Sequence, residues 1–102
     1  MSILHVTKES FEQEVLNEEQ KVLLDYWAPW CMPCKMLSSI LDQIAKEDHK
    51  VKICKINVDE EPELASQNHV MSIPMLQVLK NGDIVKKSIG LISKNEILKL
   101  IE

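Results

Sequence analysis

The stretch Trp27-Ala28-Pro29-Trp30-Cys31-Met32-Pro33-Cys34-Lys35 places two cysteines three positions apart, directly after an apolar run. That run, Val22-Leu23-Leu24-Asp25-Tyr26-Trp27, is almost continuously apolar, which is typical of a central strand covered on both faces. From about Pro33 to Glu47 the apolar residues recur at helical spacing. The sequence therefore predicts a strand followed by a helix, with the cysteine pair at their junction.

A position at the start of a helix gives the two thiols different tasks. The first helical turn offers free backbone N–H groups and the positive end of the helix dipole, which favour the thiolate of Cys31. A thiolate attacks a disulfide, and Cys34, one turn further on and facing inward, can then attack the mixed disulfide. Pro33 suits the first turn, where its missing N–H costs nothing, and Met32 adds no charge. The pair therefore provides a complete dithiol cycle.

Strands and helices alternate on either side of this junction. The strands are predicted at residues 3–6, 22–27, 51–58, 75–79 and 84–89. The first helix is predicted to follow Thr7 as its N-cap, the second to run from about Pro33 to Glu47, the third to begin at Asp59 and Pro62, and the fourth to follow the capping box Ser93-Lys94-Asn95-Glu96. Asn81-Gly82 predicts a hairpin between the last two strands. The order βαβαβαββα predicts an α/β fold with a mixed central sheet and helices on both faces.

Length and composition limit the possible functions. The 102 residues predict a single domain, residues 1–102. Sixteen acidic against twelve basic residues give a net charge of -4, which argues against nucleic acid as a partner. The N-terminal residues lack a basic segment followed by an apolar one, and no apolar run is long enough for a bilayer, so we expect a cytoplasmic protein without a membrane partner. Three cysteines are too few for a disulfide framework, which makes a catalytic or metal-binding role the relevant question.

Four blocks of the sequence, in the same order along the chain, resemble the thioredoxin family. They are Trp27 to Lys35 as quoted above, Lys55-Ile56-Asn57-Val58-Asp59, Ser72-Ile73-Pro74-Met75-Leu76 and Lys80-Asn81-Gly82. The resemblance implies a thioredoxin fold, with a sheet of four to five strands flanked by four helices, and a cis peptide before Pro74. It also implies reduction of protein disulfides, with Cys31 attacking and Cys34 resolving. No bound cofactor is then expected, and the electrons would come from a separate reductase of the thioredoxin reductase type.

Asp25 is the one charged residue inside the predicted central strand. An ionised carboxylate in a dry site is costly, so the sequence predicts that Asp25 is a proton carrier. Lys55 shares its strand face with Val51 and Ile53 and therefore points among apolar side chains, where it can help to hold the charge of Asp25. The resemblance assigns the same role to both residues. The alternative is that both lie at strand edges in water.

The resemblance also implies a substrate groove around the nucleophile. Its predicted residues are Trp30, Met32, Pro33, Ile73, Pro74, Met75, Ile89 and Gly90. The alternative is that the apolar members of this set are core or loop residues. Met32, Ser72 and Met75 replace the family's Gly, Gly and Thr, which predicts a bulkier and more apolar rim. These departures leave the redox potential and the set of partners open.

The remaining chemistry-bearing residues give weaker signals. Cys54 has no partner at motif spacing and shares a strand with Ile56 and Val58, so it is predicted to be a buried, inert thiol. The three histidines, His5, His49 and His69, lie on separate elements and predict no metal site.

Three other functions stay open at this point. The first is a binding module of the same fold with idle cysteines, and the second is zinc binding through the three cysteines and a histidine. The third is the same exchange reaction run as an oxidant or isomerase. A monomer is the default expectation for the oligomeric state.

Overall fold

Five strands form one mixed sheet in the order β1-β3-β2-β4-β5. The structure is a computed structural model and describes residues 3–102. The strands are β1 (Leu4–His5), β2 (Val22–Trp27), β3 (Lys52–Asn57), β4 (Met75–Lys80) and β5 (Asp83–Ile89). The helices are α1 (Glu12–Leu16, a π-helical segment), α2 (Met32–Ala45), α3 (Pro62–Gln67) and α4 (Lys94–Ile101). The predicted order of elements is confirmed.

The direction of the strands follows from their connections. β1, β2 and β3 are parallel, whereas β4 is antiparallel to both of its neighbours, β2 and β5. Helix α1 leads from β1 to β2 and helix α2 from β2 to β3, as parallel strands require, whereas the antiparallel pair β4 and β5 is joined by a tight turn. The predicted mixed sheet of an α/β fold is therefore confirmed.

Successive side chains of each strand point to opposite faces of the sheet, so apolar core clusters form on both faces. Leu23 and Ile53 point towards α2 and α4, where they join a buried cluster with Leu37 and Leu41. The neighbouring residues of each strand point to the other face and form a second cluster beneath α1 and α3. Its members include Val15, Leu24, Tyr26, Cys54, Ile56, Leu64 and Met75. Asp25, two residues after Leu23, is on the α2 face.

The first helix differs from its prediction. The assignment of Thr7 as its N-cap is wrong, because α1 covers only Glu12–Leu16 and Phe11 is its N-cap. The backbone N–H of Thr7 donates to Ser10 Oγ at 3.0 Å, and the backbone N–H of Ser10 donates to the Thr7 carbonyl at 3.1 Å. These local bonds close a turn before the helix, because a serine hydroxyl can replace a helical partner of the backbone.

The longest helix of the described residues is α2, with 14 residues. It begins one residue earlier and ends two residues earlier than predicted. Its N-cap is Cys31, and it buries Leu37, Leu41 and Ile44 against the sheet. None of the helices in residues 3–102 has the length and apolar character needed to cross a membrane.

Two short-range signals of the C-terminal half are confirmed. In the β4–β5 turn, Asn81 has φ 52° and Gly82 has φ 83°, as a type I′ turn requires. A Cβ atom at Gly82 would lie 2.8 Å from the carbonyl oxygen of Leu16, so the turn is in close contact with the end of α1. At the start of α4, Ser93 and Glu96 form the reciprocal bonds of a capping box.

Candidate active site

Cys31 and Cys34 form a disulfide at the start of α2. Their Cα atoms are 5.2 Å apart, and the backbone N–H of Cys34 donates to Cys31 Sγ at 3.3 Å. The two residues are only 5% and 1% exposed. The sequence prediction of their position at the strand–helix junction is confirmed. The N–H group aimed at Cys31 Sγ is suited to stabilise negative charge on that sulfur when the pair is reduced.

Exposed apolar side chains are found next to Cys31 in the sequence and at the end of β5. Trp30 is 70% exposed, Met32 65% and Ile89 63%. The Trp30 indole does not rotate freely, because its Nε1–H donates to Asp59 Oδ2 at 2.9 Å. Asp59 was predicted only to begin a helix, because its separation of 29 positions from Trp30 provides no local signal of this contact.

The loop before β4 supplies the other side of this surface. The Ile73-Pro74 peptide bond is cis, as the resemblance implied. Ile73 is partly exposed, whereas Pro74 is buried, and the backbone N–H of Gly90 donates to the Pro74 carbonyl at 2.8 Å. The residues predicted for the groove on β4, β5 and their flanking loops are thus adjacent in space.

The prediction that the Met75 side chain belongs to the apolar rim around the disulfide is wrong. Met75 is only 3% exposed, because it pairs with Tyr26 across β2 and β4 and joins the cluster beneath α3. Its side chain therefore adds nothing to the surface around the disulfide, and the predicted apolar rim includes Met32 but not Met75.

Met71 is a surface residue that the sequence analysis missed. It is 91% exposed and, together with Trp30 and Ile73, it lines a shallow hollow of about 200 Å³. The signal was an apolar residue in a polar loop, directly before Ser72-Ile73-Pro74.

Asp25 and Lys55 are both buried, so the alternative that they lie at strand edges in water is wrong. Asp25 is fully buried, and neither carboxyl oxygen has a hydrogen-bond partner among the described residues. Lys55 Nζ lies 4.0 Å from Asp25 Oδ2, which is too far for a hydrogen bond. Burial raises the pKa of Asp25 to about 7, and the charge of Lys55 acts in the opposite direction. Asp25 is therefore able to exchange a proton near neutral pH.

A cleft of about 290 Å³ leads from the surface to Cys34 and Lys55. Its lining residues are Ile3, His5, Trp27, Cys34, Lys35, Ser38, Asp42 and Lys55. Lys55 Nζ lies 5.0 Å from the centroid of the Trp27 ring and donates to Ser38 Oγ at 2.7 Å. Ser38 was missed by the sequence analysis, although it lies four residues after Cys34 and therefore on the same face of α2.

Cys54 is separate from this site. It is a free, fully buried thiol in the cluster beneath α1 and α3, so its predicted burial is confirmed. Within residues 3–102, no three side chains of His, Cys, Asp or Glu are close enough together to hold a metal ion. The structure offers no support for a zinc set that joins Cys54 to Cys31 and Cys34.

A disulfide at the start of a helix that covers a buried carboxyl group defines a thiol–disulfide oxidoreductase. Comparison with known proteins agrees: residues 2–102 match the family profile described as Thioredoxin. The chain belongs to the thioredoxin family.

Relatives cover almost the whole chain. A thioredoxin of Rickettsia bellii is 44% identical over 98 residues, which are 95% of this chain and 93% of the relative. A thioredoxin of Rickettsia felis is 47% identical with the same coverage of both chains. A thioredoxin of Pseudomonas aeruginosa is 40% identical over 101 residues, or 98% of this chain and 94% of the relative. The cysteine pair and these relatives together identify a protein-disulfide reductase.

Proposed function

We propose that Cys31 is the attacking thiol and Cys34 the resolving thiol in the reduction of disulfides in other proteins. The observation that carries this proposal is the disulfide at the start of α2, in which Cys31 Sγ accepts the backbone N–H of Cys34. A group that receives this N–H is the better thiolate of the pair.

The reaction runs in two exchanges that begin with the reduced protein. The Cys31 thiolate attacks a substrate disulfide, so a bond forms between Cys31 and one substrate sulfur while the other substrate sulfur leaves as a thiolate and takes up a proton. The Cys34 thiol then loses its proton and attacks Cys31 Sγ. The second substrate sulfur leaves, and the Cys31–Cys34 disulfide forms. Two electrons have passed from the protein to the substrate.

Asp25 accepts the proton of Cys34 in the second exchange. Asp25 is fully buried, its oxygens have no hydrogen bonds to the described residues, and its pKa is about 7. At neutral pH its carboxyl group is therefore deprotonated in part of the molecules and can accept a proton. Lys55, 4.0 Å away, moderates the cost of the charge on Asp25.

The substrate binds across the apolar surface next to Cys31. An extended peptide would contact the side chains on both sides of the disulfide and pair with backbone groups near the cis peptide. The residues of this groove are Trp30, Met32, Pro33, Ile73, Pro74, Ile89 and Gly90, and Met75 contributes through its backbone alone.

We further propose a setting for this reaction. The protein acts as a single domain, residues 1–102, and as a monomer. It acts in the cytoplasm, without a bound cofactor, and receives its electrons from a separate reductase as part of an electron-transport chain. The net charge of -4 supports protein rather than nucleic-acid partners.

Trapping of the mixed disulfide tests the assignment of the two cysteines. A Cys34→Ser variant incubated with a peptide disulfide is expected to accumulate a stable adduct through Cys31, detected by its mass. The matched Cys31→Ser variant is expected to form none. An adduct through Cys34 in the second variant, at a comparable rate, would show that the roles are reversed.

The direction of the reaction has its own test, because the exposed Met32 between the cysteines can alter the redox potential. The protein is equilibrated with a series of glutathione buffers, and the fraction of disulfide is read by alkylation and mass. A potential below that of the cytosolic glutathione pool supports a reductant. A potential well above that pool points to an oxidant or isomerase and contradicts the proposed direction.

A further inference from the structure

Ser38 is the direct hydrogen-bond partner of the buried lysine near the active site. Its Oγ accepts from Lys55 Nζ at 2.7 Å, and this is the one hydrogen bond of Nζ to the described residues. Ser38 lies one helical turn after Cys34, in the same cleft. Ser38 therefore belongs to the lining of the cleft that Cys34 and Lys55 share.

The bond to Ser38 determines where the lysine charge is held. Lys55 Nζ is 2.7 Å from Ser38 Oγ and 4.0 Å from Asp25 Oδ2, and both Asp25 oxygens lack a hydrogen bond. An ammonium and a carboxylate this close form a short, charge-assisted hydrogen bond when nothing else holds either group. Lys55 Nζ is instead bonded to Ser38 and lies 5.0 Å from the centroid of the Trp27 ring, and it makes no hydrogen bond to Asp25.

We propose that Ser38 is a positioning residue, whose hydroxyl holds Lys55 Nζ away from Asp25 and so leaves the carboxyl group free to receive the proton of Cys34. The inference rests on the proposed function, because it concerns the proton transfer of the second exchange. Ser38 acts through Lys55 and touches neither substrate nor the reacting sulfur atoms in this scheme.

Loss of the hydroxyl has a defined consequence for Asp25. A buried ammonium without an acceptor is unfavourable, and Asp25 Oδ2, 4.0 Å away, is an acceptor that has no hydrogen bond among the described residues. A direct bond from Lys55 stabilises the carboxylate, so the pKa of Asp25 falls from about 7. A charge-assisted bond of ordinary strength lowers it by about one unit. At neutral pH Asp25 is then a weaker base.

Other titratable groups line the same cleft, and their titration has to be distinguished from that of Asp25. They are Cys34, Lys35 and Asp42 on α2, His5 on β1 and Lys55 on β3. Among these residue types, histidine is the one that changes charge between pH 5 and 8 and can obscure a carboxyl titration there. The measurement is therefore made in a His5→Gln background, and on the oxidised protein, in which Cys34 does not titrate.

The test is a pH titration of the Asp25 carboxyl carbon by ¹³C NMR. The resonance is assigned by its absence in Asp25→Asn. Ser38→Ala is expected to lower the midpoint by about one pH unit. Ser38→Thr, which restores a hydroxyl, is expected to return the midpoint to that of the background protein. Ser39→Ala is the matched control, because Ser39 is exposed on the same helix, and its midpoint is expected to stay unchanged.

A Ser38→Ala midpoint that equals the background, or lies above it, overturns the inference. Kinetics separate this failure from a failure of the proposed function. If the unaltered protein does not reduce a peptide disulfide, the proposed function is wrong. If it does so, and Asp25→Asn removes the pH dependence of the second exchange while Ser38→Ala leaves it unmoved, only the role of Ser38 is wrong.

Discussion

Cys34 and Cys54 are equally hidden, at 1% and 0% exposed, yet their surroundings differ in every feature that controls thiol chemistry. Cys34 stands at the start of a helix, bonded to Cys31 and next to a cleft that reaches the surface. Cys54 stands in the middle of β3, in an apolar cluster with Leu24 and Ile56. Burial raises the pKa of the Cys54 thiol to about 11.

The difference shows that exposure alone is a poor guide to the reactivity of a cysteine. A thiolate needs a positive or N–H-rich surrounding, and exchange also needs a second sulfur and a place for the proton. The cysteine pair has all of these within one helical turn and the strand below it. Cys54 has no second sulfur in its apolar cluster, and the effect of burial on its pKa outweighs that of the nearby charge of Lys52.

Alkylation of the reduced protein gives the largest expected contrast. At pH 7 a thiol whose pKa is about 11 is on the order of 10⁻⁴ ionised, and burial slows it further. Iodoacetamide is therefore expected to modify Cys31 at least about 10³-fold faster than Cys54. Peptide mass analysis after timed quenching measures both rates. In concentrated urea, where the fold is lost, the two rates should agree within about tenfold. Similar rates in the folded protein would contradict the expected difference in reactivity between these cysteines.

Variants of Cys31 and Cys54 test whether the two thiols also differ in their importance for turnover. Cys31→Ser is expected to reduce turnover of a peptide disulfide at least about a thousandfold, to the uncatalysed background, because a hydroxyl does not perform the exchange. Cys54→Ala is expected to stay within about twofold of the unaltered protein, since Cys54 is not part of the cycle. The assay uses dithiothreitol as the electron source. A comparable loss in a folded Cys54→Ala protein would assign that thiol a role.

The ionisation of Asp25 makes the stability of the folded protein depend on pH. The pKa of Asp25 is about 7 in the folded protein and 3.8 in the reference state, so the folded form retains a proton that the unfolded chain loses. The free energy of unfolding should therefore decrease as pH rises from about 4 to about 7, by roughly 4 kcal/mol in total.

Urea unfolding at several pH values measures this decrease. In Asp25→Asn the decrease should be absent, so that the variant gains stability relative to the unaltered protein as pH rises. Asp83→Asn, at an exposed position of β5, is the control and should leave the slope in place. Parallel stability curves for the unaltered protein and Asp25→Asn would show that Asp25 ionises normally.

The smallest expected effect concerns the surface next to the disulfide. Met71→Ser removes an exposed apolar side chain beside Trp30 and should raise KM for a peptide disulfide about threefold with kcat unchanged. Val85→Ser, which changes a half-exposed apolar residue near the turn end of β5, should alter neither constant. Equal effects of the two changes would mean that the hollow is not used by substrates.

Much of this architecture could be predicted from the sequence because its signals are local. The continuous apolar run of β2, the Asn81-Gly82 turn and the capping box at Ser93 each depend on a few neighbouring residues. Asp25 was identifiable because a carboxylate inside an apolar run is physically costly. The cis peptide before Pro74, by contrast, rested on the resemblance to the family.

All but one of these errors and omissions come from contacts between distant residues. Met75 was expected on the surface, but its pairing with Tyr26 directs the side chain into the core. Ser38 acquires its partner only when α2 covers β3, 17 positions further along the chain. The misplaced cap at Thr7 is a local error, since Ser10 offered a competing turn that helical periodicity does not reveal.

The close approach between the β4–β5 turn and α1 restricts how this protein can be redesigned. Asparagine tolerates positive φ, as Asn81 shows, so backbone strain alone would not exclude asparagine at position 82. The Leu16 carbonyl oxygen, 2.8 Å from where the Cβ atom would be, excludes any L side chain unless α1 moves. A hairpin tip is normally an attractive place to insert a tag or a recognition loop. In this protein such an insertion would have to leave Gly82 in place or rebuild the end of α1.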